Sequence, residues 1–358
     1  MSKPFPAKPQ RILLLKGHSA GVGDILRSSA AWRALKDRFG DVALHVVLIS
    51  REPGYVSNSL MTSHHLLAGY TTIGKTASGL AGWRAMADQL EAVARQFRPD
   101  LIIDCEAAGM RSSTLVAWVA HRLGVASLGI AEFPTRGWFY SRAAPSTRAY
   151  RAAHGFGERM DYTERDFVAL AGLGIERAGR PIELIPSAEA KRFGESLRLR
   201  LGLPDNTPLL GLNIGCGTPD AVVKRPPLEL ISALIASLQQ RRPLALVLTG
   251  APFERDVNQA FAALHRQRVD QPMHDLAGET DLPQLAGVIE QCRAFISTDS
   301  GPYHMAVGQR VPTLALFNRD DATHYHHDAW VRCVQLCEAA DVAPAASALA
   351  ALWDAPAP

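Results

Sequence analysis

Ala294-Phe295-Ile296-Ser297 runs through Thr298 into Asp299-Ser300-Gly301-Pro302-Tyr303-His304. An apolar run that stops at an Asp/Ser/Gly turn and restarts with Pro reads as a strand, a tight turn and the first turn of a helix. Asp and Ser are helix-capping residues, and Pro suits the first helical position. Exposed amides at such a helix start favour an anion, phosphate above all. His304, one turn in, would face the same ligand or be an internally satisfied histidine. A second strand-to-helix turn lies far upstream, Lys16-Gly17-His18-Ser19-Ala20-Gly21-Val22-Gly23-Asp24. It ends in a carboxylate, which can serve as a helix cap or as a base.

Working outward, the same strand–turn–helix alternation recurs twice along the chain. In the first half the predicted strands are Arg11–Lys16, Ala43–Ile49, Leu101–Cys105 and Ser127–Ile130. Helical patterns at Ile25–Phe39, Trp83–Phe97 and Ser112–Leu123 separate them, and Tyr162–Leu173 reads as a further helix. The second half restarts with strands at Leu209–Asn213, Leu244–Thr249, Ala294–Ser297 and Thr313–Phe317. Its helices are predicted at Leu228–Gln240, Glu254–His265, Leu282–Gln291 and Ala343–Trp353. Short, nearly continuous apolar strands between amphipathic helices indicate buried parallel sheets. A chain of 358 residues suits two such domains, here 1–185 and 186–358. Two doubly wound domains of this kind would line a cleft with the carboxyl ends of their strands.

Composition narrows the class. At 47% hydrophobic and 20% charged residues, it is that of an ordinary globular protein. Five cysteines, an odd and scattered set, suggest a reducing compartment rather than a disulfide framework. The apolar stretch Ile12–Leu15 is too short for a signal peptide, and no run is long enough to span a bilayer. A cytoplasmic protein, at most touching the inner membrane surface, is expected. Charge is unevenly divided. Residues 1–185 hold 23 Lys/Arg against 16 Asp/Glu, a net of +7, whereas 186–358 hold 15 against 19, a net of −4. Either the first half meets an anionic partner or its cations are simply solvated.

The Gly-rich loops differ from the common nucleotide fingerprints. Gly21 and Gly23 are followed by Leu26 where a dinucleotide site needs a third Gly or Ala, and no Gly-Lys-Ser/Thr follows. The loop after Leu209–Asn213 reads Ile214-Gly215-Cys216-Gly217-Thr218-Pro219 and continues to Lys224-Arg225-Pro226. Its glycines allow close backbone approach, Thr218 offers a hydroxyl, and Lys224 offers a point charge for an anion. Thr249-Gly250 ends the next strand in the same direction. His324-Tyr325-His326-His327 has the residue types of a zinc site but not its spacing, and a solvated loop is the simpler expectation.

Taken in order, these motifs resemble glycosyltransferase family nine, the ADP-heptose:lipopolysaccharide heptosyltransferases. The matching positions are Ile12–Lys16 with Gly23-Asp24, and Tyr162-Thr163-Glu164-Arg165. They continue with Asn213-Ile214-Gly215, Lys224-Arg225-Pro226, Leu248-Thr249-Gly250, Asp275-Leu276-Ala277-Gly278 with Asp281-Leu282, and Thr298–Pro302 with His304-Met305-Ala306. Pro312-Thr313 with Ala315-Leu316-Phe317 completes the series. The resemblance implies an α/β GT-B fold, with the acceptor on the first Rossmann-like domain and the sugar nucleotide mainly on the second. Two stretches depart from the common pattern: the long loop Gly17–Gly23, and Cys105-Glu106-Ala107-Ala108-Gly109, where a Gln-Gly pair is more usual. Both lie on the acceptor side.

The resemblance also implies an inverting, metal-independent transfer of heptose to an acceptor hydroxyl, most readily on lipopolysaccharide core, with no cofactor and no nucleic-acid partner. Asp24 would be the base, with Lys224 and the amides of Ser300 and Gly301 stabilising the leaving diphosphate. Gly215, Thr218, Thr249 and His304 would complete the donor site, and Asp299 would cap the helix or accept from sugar hydroxyls. For an anionic acceptor, the candidates are Arg27, Arg51, Arg111, Arg136 and Arg142. Their alternative is pairing with Glu52, Glu106 and Glu132. Other readings of the same residues are transfer to a protein serine or another glycan, a sugar-nucleotide epimerase, or a non-catalytic nucleotide-sugar sensor.

Overall fold

Among the described residues, twelve strands form two parallel sheets of identical winding. The computed structural model describes residues 4–17, 21–50, 57–74, 78–215, 223–318 and 322–356. The chain divides into two compact units, Met1–Ile182 and Glu183–Pro358. In the first, strands β1 (Arg11–Lys16), β2 (Ala43–Ser50), β3 (Gly69–Gly74), β4 (Leu101–Asp104), β5 (Ala126–Ile130) and β6 (Arg142–Ala144) lie in the order β3-β2-β1-β4-β5-β6. In the second, β7 (Leu209–Asn213), β8 (Ala245–Thr249), β9 (Met273–Asp275), β10 (Ala294–Thr298), β11 (Thr313–Phe317) and β12 (Val331–Gln335) lie in the order β12-β11-β10-β7-β8-β9. Both are the doubly wound Rossmann order, so the expected α/β architecture of two Rossmann-like units, the composition of a GT-B protein, is present.

The central strands are sandwiched between helices and read apolar throughout. Ile12 to Leu15 are at most 2% exposed, and Leu210, Leu212, Leu246, Leu248, Ala294 and Ile296 are fully buried in the second unit's core. The edge strands β3, β6, β9 and β12 were not predicted. They are short or only half-buried, with no continuous apolar run to mark them.

The single helix predicted over Ile25–Phe39 is two, Val22–Leu26 and Ser29–Phe39. The Ser29 hydroxyl donates to the Leu26 carbonyl at 2.6 Å, a local bond that competes with the helical ladder at the junction. In the second unit, the helices Ala188–Glu195 and Leu282–Glu290 cross with almost no gap. A Cβ on Gly194 would lie 2.1 Å from the Gly287 carbonyl, so only glycine permits this backbone contact.

Candidate functional site

In a doubly wound sheet, ligands gather where the strand order reverses, beyond the carboxyl ends of the two strands flanking that point. The reversal falls between β1 and β4 in the first unit and between β7 and β10 in the second. Each of these four strands is followed by a loop singled out from the sequence.

In the first unit, Asp24 is the third residue of the helix Val22–Leu26, whose cap position is held by Gly21. It is therefore not the capping residue. Its carboxylate is half-buried and accepts no hydrogen bond among the described residues. The two acceptor-side departures from the family pattern touch each other: the Gly17 amide donates to Glu106 Oε1 at 2.8 Å. Lys16, at the end of β1, is buried and donates to Asp166, so its charge is already matched inside the unit.

The structure corrects most of the arginine set. Arg27 is 2% exposed, and its guanidinium donates to Asp161 at 2.9 Å and to Thr163 at 3.0 Å. Arg136 is completely buried and pairs with Asp104 at 3.1 Å. It also donates to the carbonyls of Ile130, Glu106 and Gly109 and to the Ser112 hydroxyl. Five partners, four of them within residues 104–112 and the fifth on β5, make it an internal strut for the loop after β4, and its complete burial keeps it from an acceptor. Arg142 opens the edge strand β6 and lies over the Phe5 ring at 3.9 Å, toward the segment that leads into β1. That places it away from the carboxyl ends of the strands. Arg111 is exposed at the start of the helix Arg111–Leu123, and its side chain has no partner among the described residues. Arg51 lies outside the described residues. The predicted pairing with Glu52 also lies outside the described residues. Arg136 bonds the backbone carbonyl of Glu106 rather than its carboxylate, and Glu132 instead accepts from Thr147.

In the second unit, the turn after β10 folds as read. The helix Gly301–Gly308 has Ser300 at its cap position and Pro302 in its first turn. The Ser300 hydroxyl does not cap the helix; it donates to Asn213 Oδ1 at 3.1 Å, tying the ends of β10 and β7 together. Asp299 does not cap it either. One of its oxygens accepts from Lys224 Nζ at 2.8 Å, and the other lies 3.1 Å from His324 Nδ1. Burial opposes ionisation of Asp299, but the bonds from His324 and Lys224 and the field of His304 outweigh it. The carboxyl is held well below its ordinary range. Lys224 therefore stands beside the helix start, as its proposed role with an anion requires, with Asp299 as its resident counterion.

Two further donor-site expectations change their meaning. Thr249 is fully buried, donates to the Leu212 carbonyl at 3.3 Å and accepts from Asn213, so it braces β7 against β8. A Cβ at Gly215 would sit 1.6 Å from the Glu254 carboxylate, so the close approach at this glycine is to a side chain of the same unit. Thr218 lies outside the described residues.

The sequence predicts a solvated histidine segment after β11, but of its three histidines only His327 is exposed. His326 is 3% exposed, with Nε2 2.9 Å from His304 Nδ1. Asp299, His304 and His324 each bring a ligand-type atom within 4.8 Å of the others, a spacing that a metal ion could use. The ammonium of Lys224 on the same carboxylate opposes a second cation there, so the donor set fits an anion better. Alternating His-x-His was the available signal; what hid its role was contact with residues more than 20 positions away.

Comparison with known proteins bears on the fold and on part of the second unit. Residues 204–342 match the family model described as glycosyltransferase family 9 (heptosyltransferase). This stretch of the second unit is therefore similar to glycosyltransferase family 9. The chain is 34% identical over 93 residues to lipopolysaccharide heptosyltransferase 3 of Escherichia coli K12; the match spans 26% of this chain and 26% of that relative. The fold is similar to that of a family 9 glycosyl transferase from Veillonella parvula, with a TM-score of 0.73, 17% identity, and 99% and 98% of the two chains covered. It is also similar to that of the E. coli ADP-heptose lps heptosyltransferase II, with a TM-score of 0.67, 18% identity, and 95% and 98% covered.

Proposed function

We propose that this chain is an inverting glycosyltransferase that moves a heptose from ADP-heptose to a hydroxyl of lipopolysaccharide core. The observation that carries the reading is Asp24, a half-buried carboxylate beyond the carboxyl end of β1 with no partner among the described residues. A group with no structural bond there is suited to receive a proton. The similarity of residues 204–342 to family 9 and the heptosyltransferases this chain resembles support the donor and acceptor classes.

In this mechanism the acceptor hydroxyl attacks the anomeric carbon while the C–O bond to the diphosphate breaks on the opposite face. The hydroxyl proton passes to Asp24 as the new bond forms and acidifies it. Negative charge then grows on the leaving ADP, where fixed donors matter most. Lys224 and the amide of Gly301 would provide them, with Lys224 sharing its bond to Asp299 with a phosphate oxygen. A metal ion is not needed for any of these steps.

The test is a donor panel of ADP-, GDP- and UDP-sugars with deacylated lipopolysaccharide core as acceptor, read by mass spectrometry. A heptose mass added to the acceptor, from ADP-heptose alone, is the expected result. Release of an isomerised sugar without acceptor would replace transfer by epimerisation. Tight nucleotide-sugar binding with no turnover on any acceptor would leave a sensor.

A further inference from the structure

The loop Ala322–His324 and the residues after it bring two imidazoles to the start of the helix Gly301–Gly308. His326 is buried, and its Nε2 lies 2.9 Å from His304 Nδ1. Two ring nitrogens at that distance share one proton, so the bond holds the plane of His304 and pairs its two ring nitrogens with defined roles. The backbone amide of His326 is itself held by the Tyr303 hydroxyl at 2.9 Å, and the same hydroxyl lies 3.3 Å from the His324 carbonyl. Tyr303 is fully buried, so the segment is anchored rather than loosely draped. His324 Nδ1 lies 3.1 Å from Asp299, whose other oxygen is bonded to Lys224 at 2.8 Å. One carboxylate is thus bonded by an ammonium and one imidazole, with a ring nitrogen of His304 within 4.8 Å, at a helix start whose amides carry partial positive charge.

We propose that His324 and His326 complete the site for the donor's diphosphate. His324 keeps its Nδ1 proton on Asp299 and donates from Nε2 to an oxygen of the β-phosphate, beside Lys224. His326 is a positioning residue: it fixes the ring of His304 so that the latter meets the phosphate in a single orientation. Before nucleotide binds, Asp299 is the anion that keeps Lys224 and His324 gathered. The inference rests on the second unit being the nucleotide-sugar-binding one.

The experiment is calorimetric titration of the full chain with ADP and, separately, with AMP, which lacks the β-phosphate. The variants are His324→Ala, His324→Asn, His326→Ala and His326→Gln, with melting temperatures measured in parallel. Loss of a charge-assisted bond to phosphate in His324→Ala should weaken ADP binding about tenfold and leave AMP binding within about twofold. His324→Asn keeps a donor for Asp299 but carries no charge, and should show the same ADP-selective loss with the fold intact. His326→Ala should weaken ADP binding similarly, and His326→Gln, whose amide can still bond His304, should recover most of it. If the parent binds ADP and the His324 variants bind it equally well, the inference falls while the donor reading stands. Equal weakening of ADP and AMP would also overturn it, as would ADP binding that appears only when a divalent metal is added. A parent chain that binds no ADP removes the donor reading, and the inference with it.

Discussion

Asp24, Arg136 and Asp299 show how differently three charged residues beyond the carboxyl ends of strands can be employed. Because Asp24 has no partner to lose among the described residues, Asp24→Asn should leave melting temperature and ADP affinity unchanged. Turnover should fall on the order of a hundredfold or more, measured by transfer rate at saturating donor. Near-normal turnover would sink its role as base. Arg136 is the opposite case, a fully buried cation paired with a fully buried Asp104. Arg136→Met leaves that carboxylate with the Tyr140 hydroxyl at 2.7 Å but no countercharge. It should cost about 3–5 kcal/mol in denaturant unfolding, because an unpaired buried charge is left behind. Asp299 has a folded-state pKa held below its unfolded value, so its contribution is fully present above the ordinary carboxylate range and is lost as pH falls through and below it. Nothing in the local sequence separates these three. The family pattern drew attention to Asp24 and Asp299, while the burial of Arg136 depends on residues about 30 positions away.

At the scale of elements, legibility followed position in the sheet. Each central strand is covered on both faces and must be apolar at nearly every residue, and those strands are the ones the sequence announces. The four unpredicted strands are the four sheet edges, where one side needs no partner and polar residues such as Thr71, Thr72 and Arg332 are tolerated. Helix Arg255–His265 carries a further consequence for stability. His265 is 2% exposed, lies 3.0 Å from the Ser232 hydroxyl and 2.6 Å from Gln239 Oε1, and burial together with Arg268 lowers its pKa to about 4. The folded pKa lies below the unfolded value of 6.5, so the stability of the neutral ring is fully present above pH 6.5. It is lost as pH falls from 6.5 toward 4, by at most roughly 3 kcal/mol. Thermal unfolding at pH 7.5 and pH 5 should show this loss in the parent and a smaller one in His265→Gln. An identical pH dependence in both would refute the assignment.

For the whole molecule, the predictions concern what the protein needs and what it meets. With Lys224 and helix amides at the leaving group, transfer should survive saturating EDTA; activity restored only by magnesium or manganese would reject that account. The net charge of residues 1–185 suggested an anionic acceptor, but two of the five candidate arginines are internal struts and a third is stacked away from the carboxyl ends. Arg111 is the described one that remains exposed at the carboxyl end of its strand. Arg111→Ala should raise the acceptor KM several-fold at low ionic strength with donor affinity unchanged, and the difference should shrink as salt rises. An unchanged acceptor KM would favour a neutral hydroxyl acceptor. No helix among the described residues is long and apolar enough to cross a membrane.

The sequence by itself determined the two doubly wound units, the four loops beyond β1, β4, β7 and β10, and the family 9 resemblance. Those features are written in local patterns: apolar runs, turn residues and capping residues at short spacing. Tertiary structure alone decided which charges are spent internally. Arg27 and Arg136 became struts, Thr249 became a brace, and Asp299 became the counterion of Lys224. It also brought His324 and His326 to the start of the helix Gly301–Gly308. The physical reason is that a charged or polar side chain acquires its role from the partner that meets it. Parallel sheets bring those partners from loops that lie tens of residues apart in the chain.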